Sequence, residues 1–244
     1  MIFPPSRRQR LNGNNGLGYI NDEIMATTIP RIKICCISSV EEARTAIAFG
    51  ASALGLVGHM PSGPGVISDE LIVEIARQAP PPVATFLLTS ETGAQAIIRH
   101  QQRVKTNTVQ IVDALESGTY AEIREALTGI KIVQVIHVTG EESIDEAQRI
   151  APQVDALLLD SGNPNLAVKE LGGTGRTHNW SLSRRIVESV PVPVFLAGGL
   201  RPENVREAIE TVQPFGLDLC SGVRTGGRLD PEKLERFFGA VRSI

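Results

Sequence analysis

The chain has 244 residues, 42% hydrophobic and 21% charged, with Lys+Arg 24 against Asp+Glu 27 and a formal net charge of −3. That slight acidity excludes the clustered cationic surface a duplex nucleic acid demands, and Trp 1, Tyr 2 and Phe 7 are too few for a single-strand stacking platform. No apolar run approaches the roughly 18–20 residues of a membrane span, so a soluble protein with neither nucleic-acid nor membrane partners is expected.

Residues 1–30 differ from the remainder of the chain. Arg7, Arg8 and Arg10 precede an Asn/Gly-rich stretch from Leu11 to Gly18, no acid occurs before Asp22, and neither helix nor strand period is visible. A disordered N-terminal extension over 1–30 is expected, with Met25 as the real start. Its basic, acid-poor composition leaves a transit peptide as the other reading, and the apolar segment of a secretory signal is missing.

From Arg31 onward, short β-branched apolar runs alternate with stretches whose apolar residues recur at three- and four-residue spacing. In chain order the pattern predicts a strand over Ile32–Ile37, helix Val40–Phe49, strand Ala53–Gly58, helix Asp69–Gln78, strand Val83–Thr89 and helix Ala94–Gln102. It continues with strand Thr108–Val112, helix Tyr120–Leu127, strand Lys131–Val138, helix Glu142–Ile150, strand Ala156–Ser161 and helix Ser181–Val190. Strand Val192–Gly198, helix Glu203–Val212, strand Leu217–Ser221 and helix Pro231–Val241 close the chain. Gly50 with Ala51, Gly129 and Gly216 fall where helices must stop, and Pro191 and Pro193 open the seventh strand, where a missing ladder donor is tolerated.

Most of these strands are continuous apolar runs, as when helices cover both faces of a parallel sheet. Right-handed crossovers then give an open doubly wound sheet or a closed barrel, and eight repeats favour closure. The expected fold is α/β, a single (β/α)8 barrel over 31–244, with its chemistry at the C-terminal ends of the strands.

Those ends hold the candidate residues. Cys35, in Lys33-Ile34-Cys35-Cys36, is a thiol placed to act as base or nucleophile; a packed small hydrophobe is the plainer alternative. Asp160 ends the run Leu157-Leu158-Leu159, where a carboxyl either caps the next loop or, partly desolvated, holds a proton for general acid work. Strands one and six can face each other across the mouth of the ring, so Cys35 and Asp160 form a candidate base–acid pair. Glycine clusters at Gly172-Gly173-Thr174-Gly175, Ala197-Gly198-Gly199 and Ser221-Gly222-Val223 expose backbone N–H groups, and the loops after strands seven and eight are the usual phosphate cradle of this fold. Leu200-Arg201-Pro202-Glu203-Asn204 starts a helix, with Pro202 near its first position, whose dipole adds to the anion field.

Metal is not expected. Cys35, His59, His137 and Asp160 lie near strand ends, yet no His-x-His, Cys-x-x-Cys or His-Glu-x-x-His spacing occurs. His100 and His178 read as surface residues, and Arg99-His100-Gln101-Gln102-Arg103 as a solvated helix end. Cys35, Cys36 and Cys220 are odd in number and include adjacent residues that pair only with strain, so a reducing compartment, the cytoplasm, is expected. No heptad seam points to coiled-coil association, and the residues specify no oligomeric state.

Over Arg31–Ile244 the chain resembles the phosphoribosylanthranilate isomerases, barrels of tryptophan biosynthesis. The likeness rests on Lys33-Ile34-Cys35, Leu158-Leu159-Asp160-Ser161, Gly172-Gly173-Thr174-Gly175 before Asn179-Trp180, Leu196-Ala197-Gly198-Gly199-Leu200 with Pro202-Glu203-Asn204-Val205, and Asp218-Leu219-Cys220-Ser221-Gly222-Val223. The resemblance implies an Amadori rearrangement of an N-linked phosphoribosyl amine without a cofactor. It makes Asp160 the acid at the ring oxygen and Cys35 the base at C2′, with phosphate held at Gly173, Gly198, Gly199, Ser221 and Gly222.

Three positions depart from the family pattern. Ser62-Gly63-Pro64-Gly65-Val66 stands where the family has Ser-Pro-Arg, whose arginine receives the anthranilate carboxylate. Gln110-Ile111-Val112-Asp113 stands for Gln-Leu-His-Gly, and Cys36 replaces the glycine after the catalytic cysteine, narrowing the space there. A bidentate Arg–carboxylate contact is a strong recognition element, so its loss bears on the aglycone more than on the chemistry. Three readings are open: phosphoribosylanthranilate isomerisation with Arg176 or Arg224 supplying the cation, a paralogous isomerase on another phosphorylated sugar, or a noncatalytic binder of phosphorylated ligands.

Overall fold

The computed structural model describes residues 29–162, 175 and 177–244. Within them β1 (Arg31–Ile34), β2 (Ala53–Val57), β3 (Ala84–Thr89), β4 (Thr108–Ile111), β5 (Lys131–His137), β6 (Ala156–Asp160), β7 (Val194–Leu196) and β8 (Gly216–Leu219) pair in sequential order, and β8 returns beside β1 to close the barrel. One helix follows each strand: α1 (Val40–Phe49), α2 (Asp69–Gln78), α3 (Ala94–Val104), α4 (Tyr120–Ala126), α5 (Glu142–Ile150), α6 (Trp180–Ser189), α7 (Val205–Val212) and α8 (Pro231–Arg242). The expected (β/α)8 barrel is the observed architecture.

The apolar runs conceal a period of two. Ile32, Ile34, Leu157, Leu159, Leu217 and Leu219 pack outward beneath the helices, whereas Ala53, Phe86, Val133, Ala156, Leu158 and Phe195 fill the interior of the ring. Because successive side chains alternate across a strand, Lys33 on β1, Cys35 just after it, Asp160 on β6 and Asp218 on β8 share that interior parity. Residue parity therefore decides which polar groups reach the mouth.

Helix starts reflect capping chemistry. Ser39, Ser68 and Thr119 accept backbone N–H bonds at the N-termini of α1, α2 and α4, and Asp230 does so before Pro231 at α8. Gly50 ends α1 with φ +108, a conformation that costs a side-chain-bearing residue more.

Four expectations are corrected. The helix after β7 starts at Val205, and Pro202 and Glu203 lie in the preceding turn. Asn204 knits that turn, since its Oδ1 accepts from Arg201 N at 2.8 Å and its Nδ2 donates to Gly199 O at 3.0 Å. Gly216 lies inside β8, where a Cβ would come 2.6 Å from the Phe195 ring, and α7 ends instead at Gln213 with φ +51. The stretch Arg99–Arg103 is solvated on one side only: Arg99, Gln102 and Arg103 are exposed, whereas His100 and Gln101 are buried. The helix runs on to Val104, and His100 is 6% exposed, with Nδ1 3.1 Å from Thr89 Oγ1 and Nε2 3.1 Å from Asp69 Oδ1. His178 is partly buried, its Nε2 2.7 Å from Ser183 Oγ, and burial lowers its pKa to about 4.

Candidate active site

Cys35 follows β1 directly, and its N–H donates to Leu219 O at 2.7 Å, which carries the β1–β8 pairing one residue further. Opposite Cys35 on the neighbouring strand, Gly55 leaves the room: a Cβ there would lie 2.8 Å from Cys35 Sγ. Asp160 ends β6. Both residues line a cavity at the C-terminal ends of the strands, whose empty space is about 760 Å³ with its open mouth included. Gly198, Gly199, Ser221 and Gly222 line the same cavity. Gly173 lies outside the described residues, but Gly175 of its cluster reaches the wall.

The two glycine loops after β7 and β8 fit each other closely. Gly198 and Gly199 have φ +83 and +61, which a residue with a side chain adopts only under strain. A Cβ on Gly222 would sit 2.0 Å from Leu200 O. Main chain therefore meets main chain at this rim, and no side chain of Gly198, Gly199 or Gly222 stands between the backbone and the cavity.

Asp160 is 6% exposed, and Ser161 N donates to its Oδ1 at 2.8 Å. Burial raises its carboxyl above the ordinary 3.8, with the Asp218 charge adding to the rise and the Ser161 N–H and His137 opposing it. Such a carboxyl retains a proton more readily than one in water, as a general acid requires. The capping contact and the raised pKa coexist in one residue.

Asp218 was not singled out from the sequence. It sits in register with Lys33, whose Nζ donates to Asp218 Oδ2 at 2.9 Å and lies 5.2 Å from the centroid of the Phe86 ring. Burial works against the Lys33 charge, but Asp218 outweighs it and the ammonium pKa rises. Asp218 Oδ1 is buried at the cavity with no hydrogen-bond partner among the described residues, as is Gln110 Oε1. The signal available in the sequence was a lone acid in an otherwise apolar strand.

Beside Cys35 the cavity wall is unusual. Cys36 has φ +61, the left-handed region that glycine occupies freely. Its side chain fills the volume beside Gly65, where a Cβ would fall 2.4 Å from Cys36 Cβ. The two departures from the family pattern thus touch each other, the thiol standing where a side chain at 65 would begin.

Arg224 is not available as a cation for the cavity. It is 9% exposed, its guanidinium pairs with Glu42 at 3.0 Å, and it donates to Cys35 O and Cys36 O. Arg176 lies outside the described residues. Among the described residues that line the cavity, none is Lys or Arg. His137 is buried with Nε2 3.0 Å from Val112 O, His59 is exposed, and among the described residues no group of three or more His, Cys, Asp or Glu could hold a metal ion.

A cavity over the C-terminal strand ends of a closed eight-stranded parallel barrel, holding a thiol, a proton-retaining carboxyl and apposed glycine loops, defines a (β/α)8-barrel enzyme. The family model described as N-(5'phosphoribosyl)anthranilate (PRA) isomerase matches residues 32–240. N-(5'-phosphoribosyl)anthranilate isomerase 2 of Methanosarcina mazei is 37% identical over 209 residues, covering 85% of this chain and 92% of the relative. The isomerase of Haloarcula marismortui is 35% identical, covering 85% and 94%. Among solved structures, phosphoribosyl anthranilate isomerase from Thermotoga maritima superposes with a TM-score of 0.73 at 28% identity, over 88% of this chain and 100% of that one. A phosphoribosyl anthranilate isomerase structure in complex with reduced 1-(o-carboxyphenylamino)-1-deoxyribulose 5-phosphate superposes with 0.70 at 27%, again over 88% and 100%. The chain belongs to the N-(5'-phosphoribosyl)anthranilate isomerase family.

Proposed function

We propose that this protein isomerises N-(5'-phosphoribosyl)anthranilate to the 1-deoxyribulose 5-phosphate aminoketone, an Amadori rearrangement serving tryptophan biosynthesis in the cytoplasm. The observation that carries the reading is the convergence of Cys35, Asp160 and the two glycine loops on one cavity in a chain of this family. Asp160, whose pKa burial raises, acts as the acid that gives a proton to the ribose ring oxygen as the C1′–O bond breaks and the nitrogen lone pair forms the iminium. The Cys35 thiolate then takes the C2′ proton, and the electron pair of that C–H bond moves to neutralise the iminium as an enamine. Ketonisation returns a proton to C1′ and completes the aminoketone. Acid and base stand on different strands, so one substrate spans both without rearrangement of the protein.

Phosphate binds the backbone amides of Gly198, Gly199, Ser221 and Gly222, and Gly173 is the further phosphate-binding residue that the family resemblance implies. Asp218 Oδ1, buried with no hydrogen-bond partner among the described residues, accepts a hydrogen bond from a substrate hydroxyl.

The test monitors the loss of phosphoribosylanthranilate fluorescence on adding the protein. Turnover by the wild type, abolished by Cys35→Ala and by Asp160→Asn, supports the assignment. Turnover that survives both substitutions removes these residues from the chemistry. A wild type inert toward this substrate but active on another phosphosugar amine moves the assignment to a sister reaction, and ligand stabilisation without turnover makes the protein a binder.

A further inference from the structure

The Cys36 and Cys220 sulfurs lie 2.7 Å apart at the cavity wall. Ile34 is in register with Leu219, so Cys220 stands level with Cys35 and one residue out of step with Cys36, whose left-handed φ of +61 breaks the strand alternation there. Strands about 4.8 Å apart and offset by one residue's rise of about 3.3 Å separate Cα atoms by roughly 6 Å, within the roughly 4.4–6.8 Å that a disulfide spans. Adjacent Cys35 and Cys36, only about 3.8 Å apart at Cα, fall short of that range. Cys220 is partly exposed, whereas Cys35 and Cys36 are buried, and all three are free thiols. The two candidate partners also differ chemically. Contact with Cys36 favours the Cys220 thiolate against the effect of burial, with the Arg224 charge adding to it, while Cys36 holds its proton through its contacts with Cys220 and Cys35 and through burial.

We propose that Cys36 and Cys220 form a dithiol at the mouth of the barrel that hydrogen peroxide closes to a disulfide and a thiol reductant reopens. The Cys220 thiolate attacks one peroxide oxygen, the O–O bond breaks, and a sulfenic acid and hydroxide result. The Cys36 sulfur then attacks the Cys220 sulfur, the S–S bond forms as the S–O bond breaks, and the Cys36 proton leaves with the departing oxygen. The two thiols lose two electrons, and one peroxide leaves as two waters. The bond draws Cys36 Sγ away from Cys35 and ties down the residue before Ser221 and Gly222. Turnover therefore falls in the closed form, a consequence that rests on the isomerase reading, whereas formation of the bond does not.

The experiment treats the full chain with one equivalent of hydrogen peroxide, alkylates, digests with trypsin without reduction and reads the peptides by mass spectrometry. Closure appears as peptide 34–44 joined to peptide 207–224, with fragmentation placing the link on Cys36, and dithiothreitol releases it. In parallel, kcat/KM for phosphoribosylanthranilate drops by roughly tenfold or more and recovers with the reductant. Cys220→Ser keeps, after the same treatment, the activity it had before. Free Cys36 and Cys220 after treatment, a link through Cys35, or oxidation to sulfinic acid without a link overturns the dithiol. Equal loss of activity in Cys220→Ser and wild type overturns its control of turnover. A reduced protein with no turnover at all contradicts the isomerase reading, while the peptide map still decides the linkage.

Discussion

Replacing Gly222 by Ala tests whether the apposed loops hold an anion. The new Cβ would lie 2.0 Å from Leu200 O, against a practical minimum of 3.0 Å, and no rotamer can relieve a clash between a Cβ and a backbone carbonyl. The β7 and β8 loops must part by roughly 1 Å, which takes an ordinary N–H···O bond of about 2.9 Å beyond bonding range. An amide bond to a charged oxygen contributes about 1.5–3 kcal/mol, so losing one raises KM for the phosphorylated substrate by roughly tenfold to a hundredfold. The kcat falls much less, because Cys35 and Asp160 stand on other strands. Overpacking at the rim costs about 1–3 kcal/mol of stability, visible as a lower urea midpoint but leaving a folded protein. The assay is steady-state fluorescence with phosphoribosylanthranilate, together with inhibition by inorganic phosphate, whose inhibition constant should rise in parallel. A folded variant with KM and phosphate inhibition both within about twofold of wild type would refute the placement of the anion between these loops.

Lys33→Met leaves Asp218 buried without its cation and should cost about 3–5 kcal/mol in urea unfolding; a loss under about 1 kcal/mol would mean that the pair at 2.9 Å contributes little. His178 has an ordinary value of 6.5 and falls to about 4 in the fold, so below pH 6.5 the unfolded chain takes the proton first. Stability, measured as the difference between wild type and His178→Gln, should therefore decline as pH falls from 6.5 and level off near 4, by roughly 3 kcal/mol in all; a flat difference between pH 7 and 5 contradicts this. Gly65→Ala drives a Cβ into Cys36 at a φ of +84, whereas Cys36→Gly removes the nearest atom, Cβ at 2.4 Å, and leaves Cα at 2.8 Å. The double variant should recover about 0.5–3 kcal/mol relative to the sum of the single changes, and strict additivity would show that the two sites do not press on each other.

The pattern of the chain located much of this molecule. Val40–Phe49, Asp69–Gln78 and Glu142–Ile150 are helices with the expected bounds, because a capping residue or an apolar stripe marks each end in the local sequence. Cys35 and Asp160 were found for a related reason, since a polar residue terminating an apolar run at a strand end is visible without coordinates. What was missed depends on partners far along the chain. Asp218 gains its meaning only beside Lys33 across the β1–β8 pairing, and His100 is buried because Thr89 and Asp69 receive its two ring nitrogens. Arg224 offered a cation by composition, yet Glu42 on α1 engages it, a pairing that no local window contains. Cys36 read as a bulkier neighbour of the base; that it adopts a glycine-like conformation against Gly65 became apparent only in three dimensions.

The place where β8 meets β1 carries a consequence for biosynthesis. Cys35 emerges from the ribosome early, but the strand that aligns it, the aspartate beneath it and the amides above it are made almost last, and Lys33 must wait for a residue 185 positions downstream. A nascent or truncated chain lacking β8 has the thiol without its surroundings. With the role proposed for Cys35, activity is therefore expected only once the ring has shut, and a chain that stalls short of its final strand is expected to be inert toward the phosphorylated sugar.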